Sequence, residues 1–94
     1  MLSIKWLPEA KIDLERLYEF IKPHSQNAAA KAILILVEAV NSLKKFPEKG
    51  RPWQADTAFR ELPVIFGSKG YVIRYRLHKE QIIIVRVWHS LEDR

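Results

Sequence analysis

Near the end of the chain stand the side chains best suited to chemistry: Arg74, Arg76, Arg86 and His89. Arginine carries a fixed charge and a fork of donors that fits phosphate or carboxylate. Histidine can give or take a proton near neutral pH. A proton carrier among arginines suits a reaction at a phosphate. The same arginines without a carrier form a surface for an anionic partner. His24 and His78 show no ligand spacing with His89, and the chain has no cysteine, so neither metal nor cofactor is expected.

These residues lie on two runs rich in β-branched and aromatic side chains, Tyr71 to Leu77 and Gln81 to His89, separated by a short polar stretch. That pattern predicts a β-hairpin. In the first run Tyr71, Ile73, Tyr75 and Leu77 alternate with Val72, Arg74, Arg76 and His78, so one face is apolar and the other carries the arginines. Tyr71 and Tyr75 read as core, and Trp88 reads as a packing residue before a stacking platform. The second run is apolar from Ile82 to Val85, which suits a strand inside a sheet. Its register stays open. A three-residue loop pairs Tyr75 with Ile83 and puts Arg86 with Arg74 and Arg76; a two-residue loop moves Arg86 to the tyrosine face. Arg86 is either a partly buried arginine that needs an acidic mate or a functional one.

The rest of the chain must supply a cover. Leu2, Ile4 and Trp6 alternate with Ser3 and Lys5 as a short first strand. Pro8 suits a first helical turn, and Ala10, Leu14, Leu17, Tyr18 and Ile21 make the apolar stripe of a helix ended by Pro23. Ser25 can cap a second helix running to about Lys45, with Ala29, Ala32, Ile33, Leu36, Val40 and Leu43 on its stripe. Leu34, Ile35 and Val37 widen that apolar surface. Either this helix is sandwiched between the first helix and the sheet, or these three residues dock a partner. Pro47 to Thr57 reads as a loop. Ala58 to Pro63 reads as a short strand, with Arg60 and Glu61 a structural pair tying it to its neighbours. The expected architecture is α+β, in the order β-α-α-β-β-β, an antiparallel sheet with a two-helix hairpin on one face.

A chain of 94 residues has room for one domain, 1–94, and one modest core. About half its residues are apolar, above the level of a disordered chain. The start lacks the apolar core of a signal peptide, and Ala32 to Val37 is too short to cross a bilayer, so no membrane partner is expected. Without cysteine, a reducing cytoplasm is the default compartment. A net charge of +5 points to an anionic partner, nucleic acid or an acidic protein segment.

Taken together, the strand ending in Trp6, Ala10 with Asp13-Leu14, Leu43…Phe46-Pro47…Gly50-Arg51, Arg60-Glu61-Leu62, Tyr71-Val72-Ile73-Arg74-Tyr75-Arg76 and Ile84-Val85-Arg86-Val87-Trp88-His89 resemble the RelE/ParE superfamily. These are the toxins of type II toxin–antitoxin modules. The resemblance covers essentially the whole chain. It implies a cytoplasmic toxin of microbial ribonuclease-like shape, neutralised by a cognate antitoxin that wraps the helix hairpin and sheet. Leu34, Ile35 and Val37 are then candidate antitoxin contacts.

The superfamily divides between messenger-RNA endoribonucleases that cut in the ribosomal A site and inhibitors of DNA gyrase that cut nothing. In the first branch the hairpin strand usually begins Tyr-Arg, with the arginine facing the scissile phosphate; here the pair is Tyr71-Val72. The C-terminal basic cluster of that branch is also thin, since Ser90-Leu91-Glu92-Asp93 leaves only Arg94. Tyr-x-Ile-x-Tyr-Arg followed by Val-Arg-Val-x-His resembles the ParE branch instead, although ParE-type endings are often more basic. The ParE reading makes Arg74, Arg76, Arg86, Trp88, His89 and Arg94 candidate target contacts, with no catalytic residue. The alternative is a ribosome-dependent endoribonuclease in which His89 acts with Arg74, Arg76 and Arg86, and the partners are ribosome and messenger RNA.

Overall fold

The structure, a computed structural model, describes residues 2–92. A first strand, β1 (Ser3–Trp6), leads into helices α1 (Pro8–Ile21) and α2 (Gln26–Ser42). Four strands follow: β2 (Arg51–Trp53), β3 (Asp56–Phe66), β4 (Lys69–His78) and β5 (Gln81–His89). They form one sheet in the order β1-β5-β4-β3-β2. The class is α+β, as expected, with both helices on one face.

Three details of the sheet differ from the sequence reading. The segment Pro47 to Thr57 contains a strand, because Arg51 and Pro52 pair with Glu61 and Arg60 along the outer side of β3. Next, β3 continues past Pro63 to Phe66. Pairing with β2 stops at Glu61, and among the described residues no strand lies outside β3 from there to Phe66, so the missing N–H of Pro63 costs no ladder bond at this edge. Finally, β1 runs parallel to β5, which makes the sheet mixed; the other pairs are antiparallel. The helices carry the chain back across the sheet, and this crossover is what a parallel neighbour requires.

The β4–β5 hairpin resolves the register. Its loop has two residues, Lys79 and Glu80, between the paired His78 and Gln81. Lys79 takes a positive φ of 57°, as tight hairpins demand, although lysine adopts it less readily than asparagine or glycine. A shift in the pairing then leaves Val85 without a partner: Tyr75 pairs with Ile84, but Arg74 pairs with Arg86. The extra residue brings Arg86 opposite Arg74 after all. Neither simple register anticipates this combination of a short loop and a bulge.

One core fills the space between helices and sheet. Ala10 and Leu17 of α1 and Leu36 and Val40 of α2 meet Leu62, Val64, Tyr71, Ile73, Tyr75, Ile82, Ile84 and Val87 from the sheet. The helices lie side by side, α1 over β5 and α2 over β3, so α2 is not sandwiched. Ser25 caps α2, its Oγ accepting the Ala28 N–H at 3.1 Å. Tyr75 pins the loop before β2. Its hydroxyl accepts the Gly50 N–H at 2.9 Å and donates to the Pro47 carbonyl at 2.8 Å. A Cβ at Gly50 would stand 2.8 Å from that ring, so the close approach requires glycine. No helix among the described residues is long and apolar enough to cross a membrane.

Candidate functional site

Alternation along β4 sets the geometry. Tyr71, Ile73 and Tyr75 are buried beneath the helices, whereas Val72, Arg74 and Arg76 are only half buried on the uncovered face. On the uncovered face Arg74 is fixed on three sides. Its guanidinium lies 3.7 Å from the centre of the Trp53 ring and 4.8 Å from that of Trp88. Its Nε and Nη2 donate to Oε2 of Glu61 at 3.0 and 2.8 Å. Two indole contacts and a charge-assisted pair leave it little freedom to turn toward a ligand. Trp53 is itself set by an edge contact with Phe59, at 6.1 Å between centroids. Trp88 is 6% exposed.

Arg60 and Glu61 do not pair with each other, because adjacent strand residues point to opposite faces. Glu61 holds Arg74, while Arg60 donates to the carbonyls of Gly50 and Glu48 at 2.6 and 3.4 Å. Each still ties β3 to a neighbour.

Arg86 has found its acidic mate. Beyond Ile84 the outer edge of β5 has no strand beside it among the described residues, since β1 ends at Trp6 and the chain turns into α1. Asp13 of α1 closes that edge. Its Oδ2 accepts the Val87 N–H at 2.8 Å and the Arg86 Nε at 2.8 Å, and Oδ1 accepts Arg86 Nη2 at 3.1 Å. Burial pushes the Asp13 carboxyl up, but the Arg86 hydrogen bond, the Val87 N–H and the charges of Arg86 and Arg16 outweigh it. The net result lies below the usual carboxylate range. Arg16 adds a contact of 3.5 Å to Asp13 and bonds the Val87 carbonyl at 3.3 Å.

His89 lies on the other face of the sheet from Arg74. It pairs with Tyr71 and meets that ring edge-on at 5.3 Å. Its Nδ1 accepts the Leu91 N–H at 3.1 Å, which leaves Nε2 to carry the proton of the neutral ring. Glu92 closes the turn, with Oε1 accepting the His89 N–H at 2.8 Å and Oε2 on Arg16 Nη1 at 2.6 Å. His89 stands in the wall of a cleft of about 740 Å³, between the end of α1, the turn after β3 and the C-terminal turn. Phe20, Ile21, Phe66 and Leu91 make this cleft largely apolar.

The sequence-predicted residues therefore fall into three places. Arg74, Arg76 and Trp88 share the uncovered face, Arg86 is tied to Asp13 at the sheet edge, and His89 lies in the cleft on the helix side. Arg94 lies outside the described residues. Leu34 is 57% exposed, Val37 is half buried, and Ile35 packs partly against the core. Sequence reasoning missed Asp13, Arg16, Trp53 and Glu92. Only Asp13 left a signal: it sits at helical spacing between Ala10 and Leu17, an acid on an apolar stripe.

Comparison with known proteins places this geometry in a family. Residues 4–94 match the family described as "ParE toxin of type II toxin-antitoxin system, parDE". The chain is 34% identical to "Toxin RelE3" of Caulobacter vibrioides over 94 residues, all of both chains. It is 39% identical to "Toxin RelE1" of the same organism over 85 residues, 90% of this chain and 89% of that one. Among solved structures it resembles the "Chromosomal ParDE TA system from P. aeruginosa", with a TM-score of 0.79 at 26% identity, covering 95% of this chain and 96% of that one. This chain belongs to the ParE toxin family of type II toxin–antitoxin systems, within the RelE/ParE superfamily.

Proposed function

We propose that the chain is a toxin that acts by protein contact, inhibiting DNA gyrase in the cytoplasm, and that a cognate antitoxin neutralises it. The observation that carries this reading is the separation of His89 from the arginines it would need. RNA cleavage calls for a proton carrier and a charged group on one phosphate at the same time. Here His89 and Arg74 are on opposite faces, and Arg74 and Arg86 are already matched by Glu61 and Asp13. Val72, where a phosphate-facing arginine would stand, supports the same reading. The family match supports the antitoxin, and the exposed Leu34 on α2 offers it an apolar contact beside Val37 and Ile35.

The test is a supercoiling assay with purified gyrase and this protein. The reading expects lost supercoiling and accumulated gyrase–DNA cleavage complexes, both reversed by the antitoxin encoded beside the toxin. Gyrase that works normally at a large excess of the protein contradicts it.

A second reading, a ribosome-dependent messenger-RNA endoribonuclease, has one observation in its favour. His89 lines an open cleft with Arg16 in the same wall. Against it, Arg16 is held by Glu92, Asp13 and the Val87 carbonyl.

A further inference from the structure

The sheet face turned away from the helices bears a patch that the fold leaves open. By register Lys5, Ile83, Arg76, Arg74, Phe59, Glu61 and Arg51 all point to it, one or two from each strand. Trp53 and Trp88 complete its centre through their contacts with Arg74. Arg74 and Glu61 cancel each other, and among the described residues Lys5, Arg76 and Arg51 stand without an acidic partner around an aromatic middle. Arg76 lies 5.6 Å from the Phe59 ring centre, and its buried Nε has no partner among the described residues. Half-buried apolar side chains within a cationic rim match a protein segment of opposite sign.

One feature weighs against nucleic acid here. A base stacks on an open aromatic face; the Arg74 guanidinium already lies against both indoles, and Trp88 keeps only 6% of its surface.

We infer that this open sheet face docks an acidic protein segment carrying aromatic or apolar residues, and that the toxin meets its protein target through it. The inference rests on the protein-contact reading above, and it assigns the contact to Arg51, Arg76 and Lys5 in place of Arg74 and Arg86. Arg74 acts as a positioning residue that holds the two indoles apart.

The test uses the whole chain and two charge-reversed variants, Arg51→Glu/Arg76→Glu on the patch and Lys22→Glu/Lys44→Glu at exposed sites away from it. The probes are a fluorescein-labelled peptide alternating Glu and Phe, a single-stranded RNA of equal length, and purified gyrase. Thermal melting checks that both variants fold. The inference expects the patch reversal to weaken peptide binding about tenfold or more and the distant reversal about twofold or less. It also expects RNA binding to respond equally to the two variants. No peptide binding, equal peptide losses in both variants, or RNA binding lost selectively with the patch overturns it. Gyrase separates the two levels of the account. If the wild type inhibits gyrase and the patch variant inhibits equally well, this surface is wrong and the proposed function stands. If the wild type leaves gyrase untouched, the proposed function fails and the peptide and RNA arms still decide the surface.

Discussion

His89 and Arg74 sit on opposite faces of one sheet, His89 against Tyr71 on the helix side and Arg74 between Trp53 and Trp88 on the uncovered side. Only three strand positions separate Arg74 from Tyr71, the β4 residue that pairs with His89. An odd separation along a strand sends two side chains to opposite faces. The split is thus a property of the backbone, and no rotamer change brings the two groups onto one phosphate.

Asp13 should be the most costly polar residue to remove. Asp13→Ala strips both Arg86 and the Val87 N–H of their acceptor. Breaking a fully buried ion pair costs roughly 3–5 kcal/mol; Arg86 remains 33% exposed, so a loss of about 2–3 kcal/mol is expected, read by urea denaturation.

The same carboxylate predicts a dependence on acid. Folded Asp13 binds its proton less readily than unfolded Asp13, so the unfolded chain holds more protons as pH falls below about 3.9. Stability therefore rises with pH through that window, is full above it and is lost as pH drops through the folded value. Denaturation midpoints from about pH 2 to 6, the range where a carboxylate titrates, should show a shallower acid slope in Asp13→Asn than in the wild type. Parallel slopes would contradict the assignment.

Arg74→Lys keeps the charge and discards the planar stack. The substitution should lower stability by about 1–2 kcal/mol through lost indole contacts and the second donor to Glu61. Trp fluorescence should shift at the same time, because the guanidinium no longer lies against Trp53 and Trp88. An unchanged spectrum and melting point would show that the sandwich contributes nothing.

Leu34→Asp addresses the antitoxin. Leu34 is 57% exposed, so the fold should lose no more than about 0.5 kcal/mol. Affinity for the antitoxin should fall by about tenfold or more if this side chain is a contact, measured by calorimetry. Unchanged affinity would move the antitoxin to another surface.

The sequence made the fold legible where a periodicity was strong and uninterrupted. The stripe of α2, the alternation of β4 and the apolar run Ile82–Val85 all survive in the structure as buried α2 residues, a two-faced strand and an interior strand. What escaped was set by partners distant in sequence. Strand β2 exists because Arg51 and Pro52 find the edge of β3, and a three-residue strand has no periodicity to read. The bulge at Val85 is invisible in an apolar run, yet it decides where Arg86 points. The Arg74 cage was hidden for the same reason, since Trp53 lay in a stretch that reads as a loop. Arg86 was legible only as a choice between two roles, and the acid that it bonds lies 73 positions away.

Ribosome-bound messenger RNA incubated with excess toxin, its ends mapped by primer extension, tests the claim that the arrangement of His89 and the arginines cannot cut RNA. The account predicts full-length message, identical for wild type and His89→Ala. New ends in the ribosomal A site that vanish in His89→Ala would contradict it.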